Sequence, residues 1–209
     1  MHMSAPSRRR PAQPTVTAVI PTYNEAANLT HLLPELPPLF EVIVVDGGSS
    51  DGTVETARQM MPTVRTLQQT RRGKGNALAC GFRAARGDII VMVDADGSAD
   101  PGEIERFVAA LRAGADFAKG SRTLGGSDDI TRLRGAGNRV LTTFTNVLFG
   151  TRYTDLCYGY NAFWRDILPA LDLPAVSPTG DHMVWGDGFE IETLLNCRIA
   201  KAGLAVTEV

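Results

Sequence analysis

Two aspartates follow the most apolar strand that the sequence predicts, and their type and spacing suit metal chemistry. Ile89 to Val93 is an unbroken apolar run, which is typical of a strand buried on both faces of a parallel sheet. Asp94 and Asp96 come directly after it. Residues two apart in an extended segment point to the same side, so these carboxylates can converge on one hard cation. An aspartate here can instead cap the next helix, but Asp100 already provides that cap ahead of Pro101.

Polar residues also follow two other predicted strands. Tyr23 and Glu25 come after the strand Thr15–Ile20, and the loop Asp46–Asp51 comes after the strand Glu41–Val45. Ligands of open α/β sheets bind beyond the carboxyl ends of the strands, so three such ends together indicate a nucleotide site. The carboxylates would accept hydrogen bonds from base and ribose, and a metal would hold the diphosphate. Ordinary packing is an equal alternative for Tyr23.

A basic turn with two glycines, Arg71 to Asn76, precedes a predicted helix. The glycines let the backbone approach an anion, Lys74 adds positive charge, and the helix N-terminus adds its dipole. The spacing is not that of a P-loop. No Gly-x-Gly-x-x-Gly follows the first strand, which argues against a dinucleotide oxidoreductase. The turn is therefore a candidate diphosphate site, with a solvated basic turn as the alternative.

The predicted elements alternate between strand and helix up to Arg122. This alternation predicts an α/β fold with a mostly parallel, doubly wound central sheet and helices on both faces. The predicted strands are Thr15–Ile20, Glu41–Val45, Val64–Gln68, Ile89–Val93 and Ala115–Lys119. Beyond Arg122 the pattern predicts an amphipathic helix over Asn138–Phe149, a helix over Phe189–Ala202 and a last strand from Leu204.

Composition narrows the class of protein. The 209 residues, 44% of them hydrophobic, suit a single α/β domain, and the net charge of -2 argues against a general nucleic-acid binder. Cys80, Cys157 and Cys197 lack metal-ligand spacing and indicate a reducing, cytoplasmic compartment. Residues 1–14 have a basic start without an apolar region, so we expect a flexible basic tail rather than a signal peptide. Arg8 to Arg10 within it would suit phosphate or an anionic membrane surface.

Taken together, the motifs resemble family 2 glycosyltransferases with the Rossmann-like GT-A fold. The resemblance is carried by Pro21-Thr-Tyr-Asn-Glu, Asp46-Gly-Gly-Ser-Ser-Asp-Gly-Thr, Gly73-Lys-Gly and Asp94-Ala-Asp. Later stretches are similar to the dolichol-phosphate mannosyltransferase-like branch, whose members use GDP-mannose or UDP-glucose to glycosylate a polyprenyl phosphate. These stretches are Gly120-Ser-Arg, Gly137-Asn-Arg, Thr154-Asp-Leu-Cys-Tyr-Gly-Tyr-Asn-Ala-Phe and Phe189-Glu-Ile-Glu. The resemblance implies one domain over 15–209, with a nucleotide-sugar half at 15–122 and an acceptor-side half at 123–209.

The resemblance also implies a role for individual residues. The nucleotide sugar would be bound by Pro21, Tyr23, Glu25, Asp46, Lys74 and Asp94. Mg²⁺ or Mn²⁺ would be held by Asp94, Asp96 and Ser98, with Asp96 also counted as catalytic. The acceptor phosphate would be bound by Ser121, Arg122, Arg134 and Asn138. The chain departs from the family at Gly47, where a second acid is common, and at Ser98, where glutamine is common and a hydroxyl is a poorer ligand. It also stops at Val209, where relatives continue.

The implied reaction is an inverting, metal-dependent transfer from a nucleotide sugar to a polyprenyl phosphate, with peripheral contact at the inner face of the membrane. An ionised phosphate acceptor needs no strong general base. A saccharide or small-molecule hydroxyl would need one, and Asp187 is then the catalytic candidate, with His182 in reserve. A sugar nucleotidyltransferase is disfavoured because its glycine-rich loop after the first strand is absent. A nucleotide-sugar-binding module without turnover is disfavoured by the retained Asp94, Asp96 and Arg122.

Overall fold

The computed structural model describes residues 10–122, 132–177, 180 and 182–209, and within 132–136 it describes the backbone alone. These residues form a seven-stranded sheet. Its strands are β1 (Val16–Thr22), β2 (Glu41–Asp46), β3 (Arg65–Gln68), β4 (Ile89–Met92), β5 (Phe117–Lys119), β6 (Asn161–Trp164) and β7 (Val206–Glu208). The helices are α1 (Ala26–Glu35), α2 (Thr53–Met60), α3 (Lys74–Ala84), α4 (Ile104–Arg112), α5 (Arg132–Phe149) and α6 (Ile191–Lys201).

The strand order is β3-β2-β1-β4-β6-β5-β7, and most neighbours run parallel. β1 pairs in parallel with both β2 and β4, while β6 runs antiparallel to β4 and to β5. This confirms the predicted α/β class with its mostly parallel sheet. The antiparallel β6 was not predicted, and it separates β5 from β4 although both were expected in one parallel series. Its four residues lie in the aromatic-rich segment and are all buried, so they show no alternation that would identify a strand.

The core lies on both faces of β2 and β4. Every residue of these two strands is buried, which explains why their sequences have no polar alternation. α1 buries Leu29, Leu32 and Leu33 against the sheet, as its spacing predicts. Each such side chain contributes about 1.5–3 kcal/mol through its removal from water. The rigid sheet thereby fixes the positions of the loops at its carboxyl edge.

Two local expectations change in the structure. From the sequence, Asn24 is a candidate N-cap for α1, because asparagine is favoured at that position. In the structure it lies outside the helix with a positive φ of 57°, and its Oδ1 accepts a hydrogen bond from the Ser50 N–H. The Ala26 N–H is instead bound by Asp51, from the neighbouring loop. Arg10, expected in the flexible tail, donates to Asp116 at 2.7 Å and is packed against the domain. The stretch Thr123–Asp129, which is rich in glycine and aspartate, lies outside the described residues.

Helix α5 has its amphipathic faces reversed. Among its described side chains, at 137–149, the buried ones are Thr142 and Thr145, while five large apolar side chains are exposed. These exposed residues are Val140, Leu141, Phe144, Val147 and Leu148, and we call them the outer face of α5. Within the described part of the chain, no helix is both long enough and apolar enough to cross a bilayer.

Candidate active site

A cavity of about 710 Å³ lies beyond the carboxyl ends of β1, β2 and β4. It brings together most of the residues expected to bind a nucleotide sugar. Among the residues that line it are Pro21, Tyr23, Glu25, Lys74, Asp94 and Asp96. This is the place where open α/β sheets bind ligands, because the loops that follow the strands enclose it. Phe189 also lines the cavity and is exposed.

Asp46, expected at the nucleotide, lies beneath the cavity rather than on its wall. The residue is buried, and its carboxylate accepts hydrogen bonds from the N–H groups of Gly48, at 2.9 Å, and Ser49, at 3.1 Å. The Gly47 N–H donates to the Thr22 carbonyl at 2.8 Å. These bonds fix the loop after β2 so that Gly47 and Gly48 face the cavity. In this structure Asp46 therefore shapes the loop after β2, which lines the cavity.

Lys74 links two carboxylates from distant parts of the chain. Its Nζ lies 2.7 Å from Asp94 Oδ1 and 2.6 Å from Glu192 Oε1. Burial works to lower the pKa of Lys74, but the two negative charges outweigh it and raise that pKa. Burial also raises the pKa of Glu192, against the effect of Lys74. Lys74 is thus a fixed cation on the cavity wall, at the N-terminus of α3.

Glu192 is a site residue that sequence reasoning assigned no role. It lies in the first turn of α6 within the motif Phe189-Glu-Ile-Glu. That motif indicates acidic residues near the site, but the sequence does not show which of its two glutamates points into the protein. The structure separates them. Glu190 accepts hydrogen bonds from the N–H groups of Gly186 and Gly188, while Glu192 reaches Lys74.

Asp94 and Asp96 have different surroundings, which bears on the expected metal. Asp94 pairs with Lys74, whereas Asp96 is exposed on the cavity wall and its Oδ1 accepts the Ser98 N–H at 3.0 Å. Carboxylate oxygens are the ligands that Mg²⁺ and Mn²⁺ take, and Mg²⁺ sites often combine one or two of them with phosphate oxygens and water. The two aspartates fit that donor set. Among the described residues, no group of three or more His, Cys, Asp or Glu side chains is placed to hold a metal.

Ser98, expected as a third metal ligand, is not among the residues that line the cavity. Its backbone is engaged on both sides, because its N–H donates to Asp96 and its carbonyl accepts the Tyr158 hydroxyl at 3.1 Å. These bonds assign Ser98 a role in orienting Asp96.

Three of the four residues expected at the acceptor phosphate meet around or beside one buried carboxylate, Asp155. Arg122 donates to it twice, at 2.8 and 3.1 Å, and Asn138 Nδ2 donates at 2.9 Å. Ser121 Oγ lies 2.6 Å from Thr154 Oγ1, one residue earlier in the chain. Burial works to raise the pKa of Asp155, but the hydrogen bonds and charge of Arg122 outweigh it and lower that pKa. The side chain of Arg134 lies outside the described residues.

Lys119 is a buried cation next to this cluster, and sequence reasoning gave it no role. Its side chain is fully buried, and its Nζ makes a long hydrogen bond of 3.4 Å to the Gly120 carbonyl. Burial lowers the pKa of Lys119 to about 8, although the charges of Asp155 and Glu208 act in the opposite direction. The sequence gives little indication that Lys119 is buried, because a lysine at the end of a short strand is usually exposed.

Asp187, the candidate general base for a hydroxyl acceptor, is fully buried and already paired. Arg71 donates to its carboxylate at 2.7 and 2.9 Å, and the Val184 N–H donates at 2.9 Å. Burial works to raise the pKa of Asp187, but these hydrogen bonds and the charge of Arg71 outweigh it and lower the pKa. The arrangement is that of a structural ion pair joining the loop before α3 to the loop before α6.

The same two loops approach each other through glycines. A Cβ atom on Gly73 would clash with the Asp187 carbonyl, and one on Gly75 would clash with the Gly186 carbonyl. The Asn76 N–H donates to the Asp187 carbonyl at 3.2 Å. Backbone contact this close requires residues without side chains. The motif Gly73-Lys-Gly therefore serves to dock the two loops as well as to present Lys74.

Comparison with known proteins places this geometry in context. Residues 17–171 match the family described as Glycosyl transferase family 2. The chain is 34% identical over 210 residues to the undecaprenyl-phosphate mannosyltransferase of Micrococcus luteus, covering 93% of this chain and 81% of that protein. It is 34% identical over 217 residues to the polyprenol monophosphomannose synthase of Mycolicibacterium smegmatis, covering 98% and 78%.

A solved structure has the same fold. The glucosyl-3-phosphoglycerate synthase of Mycobacterium tuberculosis, crystallised with phosphoglyceric acid, superposes with a TM-score of 0.73 at 26% identity, covering 95% of this chain and 70% of that one. A complex of the same synthase with Mn²⁺, UDP and glucosyl-3-phosphoglycerate gives a TM-score of 0.68 at 24% identity and the same coverage.

Proposed function

The chain belongs to glycosyl transferase family 2, and we propose that it transfers a hexose from a nucleotide sugar to a polyprenyl phosphate with inversion at the anomeric carbon. The two relatives at 34% identity, which align with nearly the whole chain, are named for transfer to polyprenyl phosphates. The solved synthase shares the fold and has been crystallised with UDP. We therefore propose GDP-mannose or UDP-glucose as the donor class.

One structural observation carries the proposal: Tyr158 and Gly159 join the two groups of site residues. The Arg122 guanidinium lies 5.1 Å from the centre of the Tyr158 ring, whose hydroxyl donates to Ser98, two residues after Asp96. A Cβ atom on Gly159 would lie 3.0 Å from Lys74 Nζ, so this backbone packs directly against the Lys74–Asp94 pair. The arginine proposed for the acceptor is thus connected to the acids proposed for the donor.

In the proposed reaction the donor occupies the cavity, and Lys74 pairs with its diphosphate. Asp96, with Asp94, would hold a divalent cation, which when bound supplies positive charge to the departing nucleoside diphosphate. Arg122 holds the acceptor phosphate, and its planar fork suits two phosphate oxygens. An ionised oxygen of that phosphate forms a bond to the anomeric carbon, and the bond from that carbon to the diphosphate breaks. The electron pair leaves with the nucleoside diphosphate, and no general base is needed.

The burial of Asp187 supports a phosphate acceptor over a hydroxyl acceptor. A general base must come within hydrogen-bonding reach of the proton that it removes. The Asp187 carboxylate is held by Arg71 and by the Val184 N–H beneath the surface. Similarity to the solved synthase nevertheless supports a second candidate, transfer to the hydroxyl of a small phosphorylated acid. In that case Arg122 would bind the phosphate of the acceptor, and another group would remove the proton.

A transfer assay with paired acceptors tests the proposal. Purified protein with Mn²⁺ is given radiolabelled GDP-mannose or UDP-glucose, together with a short polyprenyl phosphate or with 3-phosphoglycerate. We expect labelled lipid with one donor, loss of labelling in EDTA, and a product of inverted anomeric configuration by NMR. Product from 3-phosphoglycerate alone would favour the second candidate and refute the lipid phosphate acceptor.

Arg122→Lys tests the role of the arginine, because it keeps the charge beside Asp155 and removes the fork. We expect transfer to fall at least about tenfold, since a bidentate, charge-assisted contact is lost. Donor affinity should stay within about twofold. Arg106→Lys, which changes an exposed side chain on α4, is the matched control. Wild-type transfer rates in Arg122→Lys would remove Arg122 from the acceptor site.

A further inference from the structure

Glu192 is a buried carboxylate that reaches the candidate site through Lys74. Its Oε1 lies 2.6 Å from Lys74 Nζ, and its side chain is buried in the first turn of α6. Lys74 lines the cavity, whereas Glu192 is not among the residues that line it. Seen from the cavity, the carboxylate therefore lies behind the lysine. A donor bound in the cavity would contact Lys74, and Glu192 would act on that donor only through the lysine.

Asp94, on the cavity side, is held by the same lysine through both of its carboxylate oxygens. Lys74 Nζ lies 2.7 Å from Asp94 Oδ1 and 2.9 Å from Asp94 Oδ2. The backbone of Gly159 covers the pair, since a Cβ atom there would lie 2.5 Å from Asp94 Oδ2. A divalent cation binds the same carboxylate oxygens that the ammonium occupies. Lys74 must therefore release at least one oxygen before Asp94 can bind a cation.

We propose that Glu192 is a positioning residue that keeps Lys74 in place while Asp94 exchanges the lysine for a cation. A buried ammonium is costly to leave without a counter-charge, and Glu192 supplies one that does not depend on Asp94. When a donor enters with its cation, Lys74 moves from Asp94 to the diphosphate and keeps its contact with Glu192. The contact also joins the first turn of α6 to the first residue of α3, which limits how far the lysine can move. This inference deepens the proposed function and rests on a donor diphosphate in the cavity.

Binding of Mn²⁺ alone tests the exchange at Asp94 without donor or catalysis. The free ion is measured by electron paramagnetic resonance in the presence of each folded variant, and thermal unfolding confirms the fold. Lys74→Met should raise the affinity for Mn²⁺ at least about fivefold, because Asp94 is then free of the ammonium. Glu192→Gln should lower that affinity at least about fivefold, because Lys74 is then left to Asp94 alone. Glu105→Gln, which neutralises an exposed glutamate on α4, is the matched control and should bind Mn²⁺ like the wild type.

Calorimetry with UDP and with GDP, each in the presence of Mn²⁺, tests the positioning of Lys74. Glu192→Gln and Glu192→Asp should each weaken nucleotide binding at least about fivefold. The aspartate keeps the charge, but its side chain is one methylene too short to hold the contact with Lys74. Adding Glu192→Gln to Lys74→Met should weaken binding no further, because a residue that acts through the lysine has no effect once the lysine is gone.

The outcomes separate this inference from the proposed function. Glu192→Gln or Glu192→Asp with wild-type affinities for Mn²⁺ and nucleotide would overturn the positioning role. A further loss of nucleotide binding in Lys74→Met with Glu192→Gln would also overturn it, since Glu192 would then act independently of the lysine. Wild-type protein that binds neither UDP nor GDP with Mn²⁺ would overturn both the inference and the proposed donor. The expected binding changes without any transfer to polyprenyl phosphate would support the inference and refute the proposed acceptor alone.

Discussion

Replacing Asp187 with asparagine distinguishes a structural carboxylate from a catalytic one. Asp187 is fully buried and accepts two hydrogen bonds from Arg71 and one from the Val184 N–H. Asparagine keeps the shape and one acceptor oxygen, but it turns an NH₂ group towards the guanidinium and leaves the Arg71 charge uncompensated. Breaking a buried pair in this way costs about 3–5 kcal/mol. The retained hydrogen bonds favour the lower end, about 3 kcal/mol.

For a domain of this size, about 3 kcal/mol corresponds to a fall in Tm of roughly 6–12 °C. The assay is thermal and urea unfolding of Asp187→Asn beside Asp172→Asn, whose aspartate is highly exposed and should change stability by less than about 0.5 kcal/mol. The pKa of Asp187 is lowered in the folded state from its ordinary value of 3.8. Its contribution is therefore complete above that value and is lost as pH falls through the folded pKa. The difference between wild type and variant should be constant at neutral pH and shrink in acid.

Transfer measured at 15 °C, well below the variant's Tm, completes the test. If Asp187 acts by joining the two loops, folded variant should retain substantial transfer to polyprenyl phosphate. An unchanged Tm together with complete loss of transfer would refute the structural role and restore Asp187 as the base for a hydroxyl acceptor.

Three further substitutions test other parts of the site. Asp96→Asn should reduce Mn²⁺-dependent donor binding, measured by calorimetry, at least about tenfold. It should change the free energy of unfolding by less than about 0.5 kcal/mol, because the residue is exposed. Full activity of the variant in EDTA would contradict the assignment of Asp96 to the metal. Lys74→Ala should weaken nucleoside-diphosphate binding by about 1–3 kcal/mol through loss of a charge-assisted contact. Affinities for UDP and GDP that match those of the wild type would show that Lys74 serves only to pair with Asp94 and Glu192. The pKa of Lys119 is lowered to about 8, so the unfolded chain binds more protons between pH 8 and 10.5 and stability should rise with pH over that range. Lys119→Met should abolish this rise and add about 3 kcal/mol at pH 7 in urea unfolding, whereas an unchanged pH profile would contradict the assignment.

The sequence predicts well those residues of the cavity wall whose signal is local. Asp94 and Asp96 are recognisable because a buried strand ends abruptly in acids, and the structure places both on the cavity wall. The positions of Tyr23, Glu25 and Lys74 on the cavity wall can be predicted for the same reason, since each lies where an apolar element meets a loop. The fold class follows from the alternation of strand and helix. Such features need no knowledge of which segments meet in space.

The residues that sequence reasoning missed depend on long-range contacts. Glu192 becomes part of the site through Lys74, and Asp155 through Arg122, each from a distant segment. From the sequence, Asp187 is expected to be an accessible acid in a loop. In the structure its carboxylate is paired with Arg71, which is 116 residues away in the chain. The apolar spacing of α5 identifies a helix, but spacing alone does not say which side faces the domain. Tertiary packing decides which of these residues meet, and that packing cannot be predicted from the local pattern of a single sequence.

The position of β6 has a consequence for how the chain matures during synthesis. β4 ends at Met92, but its outer edge is covered by Asn161–Trp164, and β5 can join the sheet only after that strand is present. The nascent chain must therefore carry an open β4 edge while the ribosome makes the whole intervening segment, a delay of several seconds at about 5–20 residues per second. An exposed, fully apolar strand edge is a template for pairing with other chains. Translation speed between residues 92 and 164 should thus influence how much of the protein reaches the native state, and holding chaperones should matter most in that interval.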